Sequence, residues 1–452
     1  MRAAGLEFRP LPVDPRAELA SAAGRRLLRA GSGPGAVLRL LRLGRRVMPA
    51  LGDGIADATA LGTDLLLTTS TTSAFGQVAA EAAGIPSIGL YLQPLAPTRE
   101  FAPGVTGTRS LGRSGNLLAG HTVQATTDQL FAPAVRGLRR RLGLPPLGVA
   151  RARRDHPVLH GFSPLLVPRP TDWHPRLDVA GYWWPADRPY WQPPARLLDF
   201  LAAGPPPVFV GFGGLVVPDA ERLTSAVLAA ARSAARSARV RLLLQSGWSE
   251  LAAEDSDSAL TIGDTPHDWL FPRTAAVVHH AGAGTTAAAL RSGTPTVPVP
   301  AQLDAPFWSA RLARLGVSPG PVPLRALAPA RLATSLRLAL DDSRYRARAQ
   351  AVAAALAARD GAAKVLTAVE RMATTTGRRV AADNGRRTAD RFQNLSAVRS
   401  HPSSVSRHPS SAFRHPSSLS APTPLPRDAP LPNTPVSPRY TTAAAVSPTA
   451  QP

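Results

Sequence analysis

Short apolar runs alternate with segments of helical composition along the first part of the chain. Residues 64–69 (Asp-Leu-Leu-Leu-Thr-Thr) and 85–90 (Ile-Pro-Ser-Ile-Gly-Leu) predict buried strands, and residues 74–83 between them predict a helix. A further strand is predicted at residues 6–10. Because strands that alternate with helices are typical of parallel sheets covered by helices, the pattern predicts an α/β fold.

The same alternation resumes in the second half of the chain. Residues 207–210 predict a strand that runs into a glycine turn at Gly211 and Gly213. A helix over residues 219–235 and a strand over residues 241–245 follow it. A strand that ends in a glycine turn is shaped for close approach to a phosphate or a sugar, although a plain strand-to-helix turn has the same composition.

The connection between the two regions, residues 184–206, is rich in proline and aromatic residues, which suits an interdomain link. We therefore predict a domain over residues 1–190, a second over 191–372 and a tail over 373–452. The tail combines proline, serine and arginine without apolar periodicity, so it is expected to be disordered. Its repeated Arg-His-Pro-Ser-Ser-like units are also what a frameshifted reading of GC-rich DNA would produce.

Residues 277–286 read Val-Val-His-His-Ala-Gly-Ala-Gly-Thr-Thr. The valines predict the end of a buried strand, and Gly282 and Gly284 allow a tight turn and close approach to a ligand. Thr285 and Thr286 predict the start of an Ala/Leu-rich helix, whose unpaired N–H groups and positive dipole end point back at the turn. With a histidine as an additional donor, the segment predicts a phosphate or pyrophosphate site.

This segment has two other interpretations. The ten residues alone also fit a plain helix cap after a core strand, with His279 or His280 as an ordinary buried histidine. A zinc site is disfavoured because adjacent histidines in a strand point to opposite faces. The chain also has no cysteine and no Glu/Asp/His set at ligand spacing. No metal site and no cofactor are therefore expected.

The flanking segments narrow the interpretation. Residues 263–272 read Gly-Asp-Thr-Pro-His-Asp-Trp-Leu-Phe-Pro, residues 293–300 read Gly-Thr-Pro-Thr-Val-Pro-Val-Pro, and residues 304–308 read Asp-Ala-Pro-Phe-Trp. With the double-histidine segment, they closely resemble the donor-binding region of the UDP-glycosyltransferase superfamily. The resemblance is to its sterol glucosyltransferase-like and antibiotic (macrolide) glycosyltransferase-like branch, and it extends over about residues 200–372.

This resemblance implies the glycosyltransferase-B fold, in which two Rossmann-like domains face each other and bind the acceptor and the nucleotide-sugar respectively. It implies that His280 contacts the donor pyrophosphate and that Thr285 supplies its hydroxyl and N–H to the same group. The other donor-site positions it implies are the motif glycines Gly282 and Gly284, the interdomain glycine turn at Gly211 and Gly213, Asp304 for the sugar hydroxyls, and His267 for the nucleobase and ribose.

The resemblance also implies the reaction. It is an inverting transfer of a hexose from a nucleotide-sugar, with UDP as the expected nucleotide, to a hydroxyl of a lipid, sterol-like or natural-product acceptor. No metal is required. Residues 93–103 resemble the acceptor-side loop of the family, which makes Thr98, Arg99 and Phe101 candidate acceptor contacts. A proline-rich connection after a strand is the alternative for this loop.

Three substitutions depart from the family pattern. Ala281 replaces a glycine, which is a mild change if the local φ is negative. Gly214 stands where a serine is common, and Ala305 replaces a glutamine.

The fourth departure is larger, because the family opens with a strand and a glycine-rich loop that carries the general base. This chain is expected to start after them, so its first domain is expected to be truncated and no catalytic residue is assigned. Glu100 and Asp128 are not assigned as the base.

Two alternatives to an active transferase therefore stay open. One is a catalytically impaired paralogue or auxiliary protein of the same fold. The other is a nucleotide-sugar epimerase, which the double histidine and Asp-x-Pro-Phe-Trp disfavour.

The net charge of +22 changes this picture little. Lys364 is the only lysine among 52 basic residues and aromatics make up 5% of the chain, a bias typical of GC-rich, actinobacterial coding rather than of a nucleic-acid interface. Nucleic acid is not an expected partner, whereas peripheral contact with anionic membranes stays open.

The sequence shows no signal peptide and no membrane-length apolar run, so a cytoplasmic protein is expected. Its oligomeric state is not indicated.

Overall fold

The computed structural model describes residues 6–24, 34–184, 191–217, 219–234, 240–301 and 303–380 of the 452-residue chain. The described residues up to Glu370 lie in one compact unit, which contains two parallel sheets.

The first sheet has four parallel strands in the order in which they occur along the chain. They are β1 (Leu66–Thr68), β2 (Ser87–Tyr91), β3 (Val158–His160) and β4 (Leu177–Val179). The helices of this half are α1 (Pro15–Ala20), α2 (Pro34–Ala60), α3 (Ser73–Ala83), α4 (Gly112–Arg141) and α5 (Val149–Asp155). A 3₁₀ turn covers Gly104–Thr106.

The second sheet has five parallel strands in the order β7-β6-β5-β8-β9. They are β5 (Val208–Gly211), β6 (Leu242–Gln245), β7 (Ala259–Ile262), β8 (Ala276–His279) and β9 (Thr296–Pro298). The helices are α6 (Ala195–Ala202), α7 (Ala220–Ala234), α8 (His267–Leu270), α9 (Ala283–Ser292), α10 (Ala305–Leu315), α11 (Pro329–Asp341), α12 (Ser343–Ala357) and α13 (Gly361–Val380). Further 3₁₀ turns cover Gly247–Ser249, Phe271–Arg273 and Leu324–Ala326.

Apolar side chains cover both faces of the second sheet. On one face, Val210 and Val278 pack with residues of α7 and α11. On the other face, Phe209 and Val277 pack with residues of α8 and α9. This two-sided burial explains why the strands are continuous apolar runs in the sequence rather than alternating ones.

The core of the first half lies where α2, α3 and α4 meet. Leu51, Phe75 and Phe131 are buried together there, with the two phenylalanine ring centroids 5.6 Å apart. A separate aromatic and apolar cluster contains Phe162, which follows β3, and Tyr182, which follows β4. It joins them to α9, α10 and α12 of the second half of the chain. Among the described residues, none of the helices combines the length and the apolarity needed to cross a bilayer.

The order of the second sheet creates a crevice beside its central strand. From β5 the chain moves outward to β6 and β7 on one side, and then returns to β8 and β9 on the other. The loops that follow β5 and β8 therefore diverge, and ligand sites of α/β proteins form at such a reversal, outside the carboxyl ends of the strands. Because Gly211 pairs with His279 in the strand register, the crevice lies between the two segments that the sequence singles out.

The α/β fold with parallel sheets is confirmed, and all the strands and helices predicted above except the first strand are observed within two residues of their predicted bounds. The strand predicted at residues 6–10 is wrong, since these residues belong to no strand. Pro10 and Pro12 cannot donate to a strand ladder. The segment instead packs on α2, where the Arg9 guanidinium donates to the carbonyl of Ala58 (2.6 Å).

The division of the chain at residues 190 and 372 stays a prediction. Residues 185–190 of the predicted link and residues 381–452 of the predicted tail lie outside the described residues.

Candidate functional site

His280 follows the last residue of β8, and its imidazole lies against two glycine backbones. A Cβ added to Gly282 would stand 2.4 Å from His280 Nε2, and one added to Gly213 would stand 3.2 Å from His280 Cε1. The ring is therefore held between the turn after β5 and the turn after β8. Its Nδ1 is buried and has no hydrogen-bond partner among the described residues, which makes it a polar atom in need of one.

The helix that follows this imidazole is open at its N-terminus. Gly282 is the N-cap of α9 and has no side chain with which to cap it. The first intrahelical bond runs from the Thr286 N–H to the Gly282 carbonyl (2.9 Å), so the N–H groups of residues 283–285 have no intrahelical acceptor. Gly284 is exposed and Thr285 is half-buried, so this end of the helix reaches solvent.

The helix begins two residues earlier than the sequence predicts, at Ala283 rather than Thr285. Threonine is favoured at an N-cap because its hydroxyl bonds the backbone, but here Gly282 takes that position. Thr285 consequently lies in the first turn, where both its N–H and its hydroxyl can face an anion.

The glycine turn after β5 is shaped by close backbone packing. Gly213 adopts a φ of +53°, which glycine reaches without steric cost. Its carbonyl accepts a hydrogen bond from the Trp248 N–H (3.0 Å), which ties this turn to the 3₁₀ turn after β6. A Cβ at Gly211 would meet the Phe209 ring at 2.5 Å, so this glycine serves packing inside the sheet.

His267 begins α8 and stacks on Phe271 with ring centroids 4.3 Å apart. Burial, and to a smaller extent the electrostatic effect of the neighbouring His267, lowers the pKa of His280 to about 4. Burial, with contributions from His280 and His267, lowers the pKa of His279 to about 3. Both imidazoles are therefore neutral at pH 7, and each carries one N–H that can be donated.

Ala281 adopts a φ of +63°, so the condition under which this substitution would be mild, a negative φ, is not met. The left-handed region costs a residue with a Cβ about 1–2 kcal/mol. The N–H of Ala281 donates to Nδ1 of His279 (3.2 Å), and its methyl group is fully buried with the aromatic cluster that follows the first sheet. These two contacts offset the cost of the turn.

Asp304 precedes α10, and its carboxylate is fixed by a hydrogen bond from Trp308 Nε1 to Oδ2 (2.7 Å). The acceptor-side loop reaches this position. A Cβ at Gly104 would lie 3.8 Å from the Asp304 Cα, and the rings of Phe101 and Phe307 stand 5.4 Å apart. The guanidinium of Arg311 lies over both rings, at 5.2 and 5.0 Å.

Thr98 and Arg99 are placed differently from Phe101. Thr98 is 2% exposed. Its hydroxyl donates to Asp172 Oδ1 (2.7 Å), and the Arg99 N–H donates to Asp172 Oδ2 (2.7 Å). These contacts hold the loop through the Thr98 hydroxyl and the Arg99 backbone, while the Phe101 side chain contacts the helix that follows Asp304.

The two carboxylates left unassigned as a general base have structural partners. Glu100 accepts hydrogen bonds from the N–H and hydroxyl of Thr171 (2.7 and 3.1 Å), and Asp128 pairs with Arg153. Within the described ranges, no group of three His, Asp or Glu side chains is arranged to hold a metal ion. Two surface depressions, of about 350 and 410 Å³, border α10–α12 and contain no residue of the sequence motifs.

Replacing Thr98 by valine is expected to destabilise the fold by about 1–2 kcal/mol, because the Asp172 and Glu100 contacts of its hydroxyl are lost. Burial raises the pKa of Asp172, but the bonds from Thr98 and Arg99 outweigh it and hold the pKa below its ordinary value of 3.8. The stabilisation is therefore present above that value and is lost as the pH falls through the lowered pKa.

Urea unfolding at pH 7 and pH 3 measures this difference. The matched control is Thr106→Val, which removes an exposed hydroxyl that donates to the Pro103 carbonyl. An equal effect of the two substitutions would show that the Asp172 contact contributes nothing.

Three features of the site are absent from the sequence-based prediction. They are the His279 bond to Ala281, the Asp172 clamp and the Arg311 stack. The spacing of Arg311 from Phe307 and Trp308 on one helix could have indicated the last, since residues three or four apart share a face. Asp172 lies 74 residues from Thr98, and no local pattern connects them.

Comparison with known proteins matches the part of the chain that contains the sequence motifs of residues 263–308. Residues 244–372 match the family described as erythromycin biosynthesis protein CIII-like, C-terminal domain. The chain is 42% identical over 247 residues to the O-mycaminosyltylonolide 6-deoxyallosyltransferase of Streptomyces fradiae, a match that covers 53% of this chain and 56% of the relative. It is 31% identical over 389 residues to the sterol 3-beta-glucosyltransferase UGT80B1 of Arabidopsis thaliana, covering 82% and 61%. The chain thus spans less than two thirds of the length of these curated relatives.

Solved structures show the same fold at low identity. The glycosyltransferase of kitacinnamycin superimposes with a TM-score of 0.57 at 18% identity, covering 81% of this chain and 87% of that chain. The glycosyltransferase VinC in complex with dTDP gives a TM-score of 0.52 at 19% identity, covering 81% and 86%.

Proposed function

We propose that this chain transfers a hexose from a nucleotide-sugar to a hydroxyl of a small hydrophobic acceptor, with inversion at the anomeric carbon. Its homology to sterol and macrolide glycosyltransferases and its glycosyltransferase-B fold support this proposal. The chain covers only part of its curated relatives, so the activity is inferred from the site.

The arrangement at the carboxyl ends of β5 and β8 carries this proposal. There the half-buried imidazole of His280 stands beside the uncapped N-terminus of α9. Backbone N–H groups and the positive end of a helix dipole are suited to a phosphate group. A neutral histidine adds a directed donor without the cost of a buried cation.

In the proposed reaction, the acceptor oxygen forms a bond to C1 of the sugar as the bond from C1 to the phosphate oxygen breaks. The nucleoside diphosphate leaves with the bonding electron pair, and negative charge grows on its terminal phosphate. His280 and the first turn of α9 are placed to stabilise that charge, a contribution that is commonly among the largest in catalysis. The acceptor proton passes to a general base that is not assigned to any described residue.

Asp304 is proposed to receive sugar hydroxyls. Its carboxylate is held by Trp308 at the start of α10, and the acceptor-side loop packs beside it through Phe101 and Phe307. A sugar bound at Asp304 would therefore lie next to the acceptor.

Exposed apolar side chains on the acceptor side support a hydrophobic acceptor. Leu95, Val105, Leu111 and Leu118 are between 47% and 69% exposed, all within 24 residues around the acceptor-side loop. Arg109 and Arg113 lie among them and are also exposed. The same surface suits peripheral contact with an anionic membrane from which a lipid acceptor could be taken.

Nucleotide binding and transfer are to be tested separately on the full chain. Calorimetric titration compares UDP and TDP with uridine and thymidine, since the glycosyltransferase VinC has been solved in complex with thymidine diphosphate (dTDP). We expect a diphosphate to bind and the matching nucleoside to bind far more weakly. UDP- and TDP-sugars are then incubated with a sterol or a macrolide aglycone, and the acceptor is followed by mass spectrometry for the addition of one sugar.

Failure of both diphosphates to bind would contradict the donor assignment. Binding without transfer to any acceptor would favour an impaired paralogue or auxiliary protein of the same fold over an active enzyme.

A further inference from the structure

His279 is the last residue of β8, and it is fully buried. Its Nδ1 accepts the hydrogen bond from the N–H of Ala281, two residues further along the chain (3.2 Å). Asparagine and aspartate side chains commonly make this contact to the N–H two residues ahead and thereby stabilise a turn. Here an imidazole makes the same contact.

The residue that receives this contact is in an unfavourable conformation. Ala281 has a φ of +63°, which glycine and asparagine adopt readily and alanine does not. The alanine therefore needs support from its surroundings to hold the turn.

The turn at Ala281 determines where both anion-binding elements lie. Immediately before it, the His280 ring enters the space between Gly213 and Gly282. Immediately after it, Gly282 caps α9 at a φ of −65° and a ψ of 150°. A different backbone angle at Ala281 would move the imidazole relative to the open N–H groups of the helix.

We propose that His279 is a positioning residue, whose imidazole fixes the left-handed turn at Ala281 and thereby aligns His280 with the N-terminus of α9 for a nucleoside diphosphate. This inference rests on the proposed function, and it adds a residue that does not touch the ligand itself.

The protonation state of His279 suits this role. Burial, with contributions from His280 and His267, lowers the pKa of His279 to about 3, so Nδ1 stays an unprotonated acceptor at neutral pH. The single proton is then on Nε2, which is buried. The strand register places Thr296 on the same face of the sheet as His279, and the hydroxyls of Thr286 and Thr296, like Nε2 of His279, are buried without a hydrogen-bond partner among the described residues.

Three variants separate the turn from the bulk of the side chain. His279→Leu fills a similar volume without an acceptor, whereas His279→Asn keeps a side-chain oxygen that can accept from the same N–H. The third variant combines His279→Leu with Ala281→Gly, because glycine adopts a φ of +63° without the support of His279. The matched control is His156→Leu, which removes another buried histidine with a lowered pKa, beside Ser87 in the first half of the chain.

The dissociation constants of UDP and TDP, the donor KM and kcat, and the melting temperature are measured for each variant. We expect His279→Leu to weaken diphosphate binding by about tenfold or more, since small displacements of positioned groups have effects of this size. His279→Asn should keep an affinity within about threefold of the wild type. Ala281→Gly should restore binding in the His279→Leu background, and His156→Leu should change the melting temperature without changing diphosphate affinity.

The outcomes distinguish the two proposals. If the wild type binds neither UDP nor TDP, the proposed function fails and the role of His279 fails with it. If the wild type binds and His279→Leu binds equally well, the positioning role alone is overturned. It is also overturned if Ala281→Gly does not restore binding, or if His279→Leu fails to fold and the double variant fails as well.

Discussion

Alanine in place of His280 should weaken the binding of UDP or TDP by about 10- to 150-fold, which corresponds to about 1.5–3 kcal/mol for one hydrogen bond to a charged group. Because burial lowers the pKa of this histidine to about 4, the expected loss is that of one N–H donor and not of an ion pair. If the histidine also stabilises the leaving diphosphate, kcat should fall in addition to the affinity for the donor.

The fold should tolerate this substitution. Nδ1 of His280 is buried without a partner among the described residues, so removal of the ring removes an unsatisfied polar atom together with its packing contacts. The melting temperature and the diphosphate affinity are therefore measured on the same samples. His121→Ala, at an exposed position of α4, is the matched control and should change neither quantity. An affinity for UDP and TDP that is unchanged in His280→Ala would show that the phosphates bind elsewhere.

The elements around this site were predictable because they depend on local patterns. Val277 and Val278 precede a glycine-rich segment, and this pattern predicts a strand, a turn and a helix whatever the order of the strands in the sheet. The order of the strands was not contained in the local pattern. It is the return of the chain to β8, on the other side of β5, that places the two glycine turns together.

The conformation of Ala281 shows where a local prediction reached its limit. An alanine is expected at negative φ from its own preferences, and only the packing of the turn against His279 and the aromatic cluster reverses that preference. The start of α9 was displaced for a similar reason, because the capping preference of threonine was overruled by the position of Gly282.

The acceptor-side loop illustrates long-range contacts. The sequence predicts Thr98, Arg99 and Phe101 as acceptor residues on the same evidence, and the structure joins the Thr98 hydroxyl and the Arg99 N–H to Asp172 and the Phe101 ring to Phe307. No spacing within residues 93–103 distinguishes the three positions.

Substitution of the two motif glycines by alanine should change the stability of the fold in opposite directions. Gly282 has backbone angles that alanine adopts without strain, but its Cβ would stand 2.4 Å from His280 Nε2. Gly282→Ala must therefore displace the imidazole, and we expect a loss of diphosphate affinity as large as that of His280→Ala, with a destabilisation of about 1–3 kcal/mol from overpacking. Gly284 has nothing within 4 Å of an added Cβ and lies inside the first turn of α9. Gly284→Ala should raise stability by about 0.5–1 kcal/mol, because alanine is the better helix former.

A methyl group at Gly284 should nevertheless weaken diphosphate binding if phosphate oxygens approach the first turn of α9, so a gain in stability combined with a loss of affinity would identify a glycine kept for the ligand. Unfolding free energies and diphosphate affinities of both variants provide the measurement. The double variant Gly282→Ala/His280→Ala gives the decisive comparison, because the added methyl group has room once the ring is gone. It should be no weaker in binding than His280→Ala alone and more stable than Gly282→Ala alone, and strictly additive losses would contradict the contact between the ring and the glycine.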